Sequence, residues 1–185
     1  MIVALVIFAG SQKGSDSKQT YDNAKTPDTL SYYDYGDKKI GVQTGTVFDK
    51  MVMKNISNAE ISYYNSYTDL LSALKAGMIN GFAADEPMVR LMMTEDDSVD
   101  YLKDYMDNYS LGFVFGKTAK GDALCNEFSE FIRKAKSDGT LRHIDSVWFG
   151  TDEDVKVNPD LDELPADKGT LSLTTEAAAA PFVYI

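Results

Sequence analysis

Two short stretches hold residues whose types and spacing suit ligand chemistry. The first is Thr44-Gly45-Thr46, within GVQTGTVFDK. Gly45 lets backbone approach a ligand closely. Thr46 adds a hydroxyl, and a helix opening there presents free N–H groups and the positive end of its dipole. That set suits an anion; a phosphate loop would want more glycines and a lysine than this stretch has. The second is Asp85, which ends the apolar run INGFAAD just before Glu86-Pro87. A carboxylate at the carboxyl end of a strand accepts hydrogen bonds from an ammonium group, each contributing about 1.5–3 kcal/mol. Side by side, the two stretches match an α-amino acid, its carboxylate toward Thr46 and its ammonium toward Asp85. The structural alternative at both places is helix capping: Thr46 for the helix after it, Asp85 or Glu86 for the helix opening at Pro87.

Other candidates are weaker. Tyr63, Tyr64 and Tyr67 could stack on a ligand, but strand and helix packing accounts for most of them. Asp96 and Asp97 lack the glycine and the spaced acid of a calcium loop and read as a solvated helix end. Arg90 reads as a surface cation. Glu86 is the nearby general-acid candidate if the site were catalytic. With one cysteine, Cys125, and one histidine, His143, the chain forms no internal disulfide, and a zinc site or a Cys–His nucleophile is disfavoured. Cys125 lies in a helical pattern and reads as a small buried side chain. Neither a metal nor a cofactor is expected.

The surrounding pattern supplies elements to position these groups. KKIGVQT reads as a strand. GTVFDKMVMKNI reads as a helix with Thr46 as its N-cap and Asp49 three residues on. AEISYYN is a second strand, and SYTDLLSALKAGM a helix capped by Ser66, with an apolar stripe of Tyr67, Leu70, Leu71, Leu74 and Met78. INGFAAD is a third strand, followed by the helix EPMVRLMMTED with Pro87 in its first turn. YSLGFVFGK reads as a fourth. Two helices follow, one apolar on Leu124, Phe128, Phe131, Ile132 and Ala135, the other on Leu141, Ile144, Val147 and Trp148. Such alternation is the signature of a parallel sheet covered by helices. In these sheets ligands bind beyond the carboxyl ends of the strands, where both stretches fall.

The 185 residues, 44% hydrophobic, suffice for one sizeable core. A net charge of −11 leaves no basic footprint for nucleic acid and argues against adhesion to anionic lipid. The start, MIVALVIFAGSQKGSDSKQ, is too short for a membrane span of about 20 residues. It reads as the apolar part of a secretory signal, lipoprotein-like, with Ser11 where the lipidated cysteine would stand. A buried strand over Ile2–Phe8 is the alternative. The expected organisation is a signal-like segment and tether over 1–37, a lobe over 38–150, an acidic linker over 151–170, and the start of a further segment over 171–185.

Residues 38–150 resemble the second lobe of the family-3 extracellular solute-binding proteins, the polar amino-acid receptors of bacterial ABC importers. The matching stretches are KKIGVQTGT, YYNSYTDLLSALKAGMINGFAADEP, YSLGFVFGK and FSEFIRKAKSDGTLRHIDSVWFG. The resemblance implies a periplasmic-binding-protein type II-like α/β lobe, its mostly parallel five-stranded sheet flanked by helices. It carries the amino-acid contacts onto Thr46 and Asp85, with Thr44 and Gly45 completing the loop. Val47 stands where many members have a second hydroxyl, and Asn80-Gly81 replace the usual Asp-Ala. The tail KGTLSLTTEAAAAPFVYI resembles the opening of a first lobe, with Glu176, Pro181 and Phe182 at the matching positions, so only a partial first lobe is expected.

The implied role is the substrate-binding component of an amino-acid importer, periplasmic or at the cell surface, with a membrane tether if the signal is lipoprotein-like. The implied partners are an amino acid or similar zwitterion, ABC permease subunits, and a first lobe from the same or a fused chain. No catalysis is expected. The alternatives are a cyclohexadienyl or arogenate-type dehydratase on the same fold, and the ligand-sensing domain of a membrane receptor.

Overall fold

The alternation of strands and helices expected from Lys38 onward is present. A computed structural model describes residues 2–8, 29–157, 170–175 and 181–183. In chain order its elements are β1 (Ile2–Phe8), β2 (Lys39–Gln43), α1 (Phe48–Asn55), β3 (Glu60–Tyr64), α2 (Tyr67–Lys75), β4 (Gly81–Asp85), α3 (Glu86–Glu95), β5 (Val99–Tyr101), β6 (Asp107–Asn108), α4 (Ala119–Ser137) and α5 (Thr140–Trp148). They fall into two compact units, Met1–Leu111 and Gly112–Ile185, a division that crosses the lobe expected over 38–150.

The first unit is built on one sheet of order β3-β2-β4-β1-β5, with β6 also paired to β1. β2 pairs in parallel with β3 and β4, whereas β1 is antiparallel to β4, β5 and β6. One strand therefore runs against all the others, and the sheet is mostly parallel as expected. Helices cover both faces. α2 packs so tightly on β2 that a Cβ on Gly41 would lie 2.5 Å from a Leu70 methyl and 2.7 Å from one of Ile79. Only glycine fits there.

Ile2–Phe8, expected first as a signal-like apolar segment, is a strand inside the sheet, as the alternative reading had it. Val3, Ala4, Leu5 and Val6 are fully buried. Val3, Leu5 and Ile7 join one core cluster with Ile40, Val42, Phe48 and Val52, while Ala4 and Val6 join the other with Leu70, Leu74, Phe82 and Val89. A strand buried on both faces needs an unbroken apolar run, and so does a signal, so composition does not separate them. The end of the expected tether carries structure of its own. Tyr32–Tyr35 forms a 3-10 turn capped by Ser31, and the rings of Tyr32 and Tyr35 are buried in the first cluster. Ser11 lies outside the described residues.

YSLGFVFGK is not a strand. The ladder of β6 ends where Asn108 meets Ile2. Beyond it the chain is irregular, with Leu111, Phe113 and Val114 exposed. A β-branched and aromatic run favours a strand, but propensity without a neighbouring ladder does not make one.

In the second unit, Thr118 caps α4 by accepting from the Gly121 N–H at 3.0 Å, and Gly139 turns the chain into α5 at φ +89°. The apolar stripes expected on these helices stay largely uncovered. Ala135 is buried, but Phe131 and Ile144 are exposed and Cys125 is half-buried. Phe128 packs on Phe113 and Phe115, and Phe149 meets Phe182 edge-on at 5.3 Å. Among the described residues, no helix is long and apolar enough to cross a membrane.

A central β1 makes a direct prediction. Leu5→Ala leaves a cavity in the core cluster that holds Val3 and Ile40 and is expected to destabilise the chain by about 2–5 kcal/mol in denaturant melts. An apolar leader outside the fold would leave the melt unchanged.

Candidate functional site at the carboxyl edge of the sheet

β2 and β4 are parallel neighbours, with Ile40 opposite Gly81 and Gly41 opposite Phe82. Continuing that register three residues puts Thr44 level with Asp85. The two stretches singled out in the sequence therefore share one sheet edge, as parallel strands demand.

The Thr44–Thr46 loop is open to solvent at Thr44 and Gly45. Gly45 has φ +83° and open space around its Cβ position, so glycine serves the backbone conformation here and not a tight contact. Thr46 is not the helix cap it was expected to be. α1 begins at Phe48 with Val47 in the cap position and no side-chain cap bond. The Thr46 hydroxyl instead donates to the Gln43 carbonyl at 2.7 Å and accepts from the Phe48 N–H at 3.4 Å. Among the described residues, no hydrogen bond takes the N–H of Gly45 or Val47. Ser66, by contrast, caps α2 as expected, accepting from the Asp69 N–H at 3.1 Å.

Asp85 occupies the cap position of α3, yet its carboxylate makes no cap bond. The side chain is 6% exposed. Its Oδ2 accepts from the Tyr109 hydroxyl at 3.0 Å, and its Oδ1 is buried without a partner. Burial pushes the Asp85 pKa up, opposed by the Tyr109 hydrogen bond. The Tyr109 phenol is in turn pushed up by burial and by the Asp85 charge. The next residue has the opposite environment. Glu86 Oε1 accepts from Arg90 at 2.5 and 3.0 Å, from the Tyr105 hydroxyl at 2.9 Å and from Tyr101 at 3.4 Å. Arg90 is thus a surface cation, as expected, and also the ion-pair partner of Glu86. The Tyr105 phenol is pushed up to about 12 by burial and by Glu86.

Tyr101, Tyr105 and Tyr109 are the residues that sequence reasoning missed. Their four-residue spacing was visible but suggests a helix face, and the chain here runs instead as β5, an irregular stretch and β6. That path follows β1: the Leu102 N–H donates to the Leu5 carbonyl and the Met106 N–H to that of Val3, both at 3.0 Å. The tyrosines chosen from the sequence do other work. The Tyr63 hydroxyl meets Asp49 at 3.2 Å, while Tyr64 and Tyr67 pack on the core. Asp96, expected as a solvated helix end, pairs with Lys75 and Ser98, which hold its pKa down at about 2. Glu176 lies outside the described residues. Among those described, no group of three His, Cys, Asp or Glu side chains could hold a metal ion.

Comparison with known proteins shows what the chain is similar to. No protein-family model matches the chain. Among solved structures it is similar to the substrate-binding protein of an amino-acid ABC transporter, with a TM-score of 0.56 and 20% identity, covering 80% of this chain and 59% of that one. It is also similar to an ancestral amino-acid-binding protein described as a precursor of cyclohexadienyl dehydratase, with a TM-score of 0.56 and 19% identity, covering 80% of this chain and 56% of that one. The fold is the type II periplasmic-binding-protein α/β fold. Among curated proteins it is similar to the arginine-binding periplasmic protein of Mannheimia haemolytica, 23% identical over 116 residues, which cover 61% of this chain and 49% of that protein. It is likewise similar to the putative ABC transporter arginine-binding protein 2 of Escherichia coli (strain K12), 26% identical over 115 residues, covering 60% and 47%. The chain spans about half the length of these curated relatives. The expected resemblance to family-3 solute-binding proteins is borne out by them.

The burial of Asp85 carries a pH prediction. An acid whose pKa is raised in the fold stabilises it below the unfolded pKa and loses that contribution as pH rises through the folded value. Asp85→Asn removes the charge that burial penalises. It is expected to be more stable than the unaltered chain at neutral pH, by about 1–3 kcal/mol, with the gain vanishing in acid. Denaturant melts across that pH range read this out.

Proposed function

We propose that this chain is an amino-acid-binding part of an extracytoplasmic substrate-binding protein that serves an ABC importer. The observation that carries the reading is Asp85 Oδ1, a buried carboxylate oxygen without a partner at the carboxyl edge of the sheet. A buried acceptor left unsatisfied costs about 1–3 kcal/mol, so a fold that retains one has a use for it. An α-ammonium group supplies the missing donor and the opposite charge. The ligand's carboxylate goes to the Thr44–Thr46 loop, where the N–H groups of Gly45 and Val47 and the opening of α1 favour an anion. Arginine- and cystine-binding proteins among the relatives support an amino-acid ligand.

The rest of the ligand contacts belong to a first lobe, from the same or a fused chain, and permease subunits receive the loaded protein. A dehydratase role is disfavoured by Glu86. Its carboxylate is engaged by a guanidinium and two phenols, so Glu86 is not itself poised to protonate a substrate.

The test is to titrate the full chain with a panel of amino acids that includes arginine, cystine and glutamine, by calorimetry and NMR. Weak binding is expected from one side of the clamp alone, and it should disappear when the α-amino group is acetylated. Asp85→Asn should weaken binding roughly tenfold to hundredfold, the loss of one charge-assisted contact. Equal binding before and after that change would remove Asp85 from the site.

A further inference from the structure

We infer that Tyr109 is a positioning residue for the ammonium site: its phenol occupies Oδ2 of Asp85 and leaves Oδ1 as the acceptor for the ligand. This rests on the reading of Asp85 as the ammonium contact. An aspartate at the end of a strand turns about its last bond and exchanges its two oxygens unless something holds one of them. Here no cap bond does so, and the Tyr109 hydroxyl at 3.0 Å does.

The backbone explains why this tyrosine reaches. Val3 of β1 is paired with Asp85 on one side and with Asp107 on the other. Residues directly opposite in a ladder share a face, and so do residues two apart along a strand. Asp85, Val3 and Asp107 therefore lie on one face of the sheet, and Tyr109, the residue just past β6, packs on the cluster that holds Val3 and reaches Asp85 there. The strands flanking β1 are about 9–10 Å apart, two strand spacings. A tyrosine and an aspartate together bridge that distance, and a phenylalanine falls short by its hydroxyl. Tyr109 packs at its ring on the core cluster that holds Val3, so the phenol is aimed as well as tethered. Its donation to the carboxylate also favours the charged form that an ammonium needs, against the burial that opposes it.

A purely structural tyrosine would satisfy the same oxygen, so the test reads binding and titration separately. In the full chain, Tyr109→Phe should raise the Asp85 pKa further, followed by NMR of its carboxyl carbon. It should weaken amino-acid binding several-fold in the folded protein, and the loss should grow as pH falls. Adding Tyr109→Phe to Asp85→Asn should cost no further binding. In the unaltered chain, the Tyr109 ring signals should shift as amino acid saturates the site, a readout that needs no variant to fold. Unchanged affinity in folded Tyr109→Phe, or a Tyr109 signal indifferent to ligand, overturns the positioning role while amino-acid binding stands. No binding of any amino acid to the unaltered chain overturns both.

Discussion

The antiparallel pairing of β1 with β4 is the interaction on which the rest of this structure depends. β1 separates β4 from β5 and β6, and its side chains divide between two core clusters. Without it, β4 would be an edge strand with unpaired N–H and C=O groups along a fully apolar segment. The same pairing sets the site. Val3 stands between Asp85 and Asp107, so the strand that closes the core also fixes how far Tyr109 lies from the carboxylate it holds.

Asp85 and Glu86 are adjacent and both buried, yet their electrostatic situations differ. Glu86 is satisfied by Arg90 and two phenols, a network that anchors α3 to the segment after β5. Asp85 has one neutral donor and one empty oxygen. A strand-to-helix junction turns successive side chains in different directions, which is how neighbours in sequence reach separate partners. The contrast is between a carboxylate whose partners are all within the fold and one that retains an unpartnered buried oxygen, which carries a cost in stability.

The two stretches of the candidate site also differ in exposure. The Thr44–Thr46 loop is exposed and held mainly by backbone geometry, through the positive φ of Gly45 and the Thr46 bond to Gln43. Asp85 is enclosed, so its charge acts in a medium of lower dielectric than water, where an ammonium contact is worth more.

The sequence by itself determined the strand and helix order from Lys39 to Glu95, the cap at Ser66, and the placement of Thr46 and Asp85 at one edge. All of these follow from local periodicity and from the rule that parallel strands end on the same side. The tertiary structure decided what local pattern cannot carry. Ile2–Phe8 reads alike as leader or core, because only its neighbours β4 and β5 show that it is paired. LGFVF reads like a strand but, among the described residues, has no ladder beside it. Thr46 has a cap's sequence and makes a different turn, since α1 starts two residues later. The partners of Asp85 and Glu86 lie 15 to 24 residues away in sequence, apart from Arg90. Their contact is created by the run of the chain along β1, and no spacing within the sequence encodes a distance that a third strand imposes.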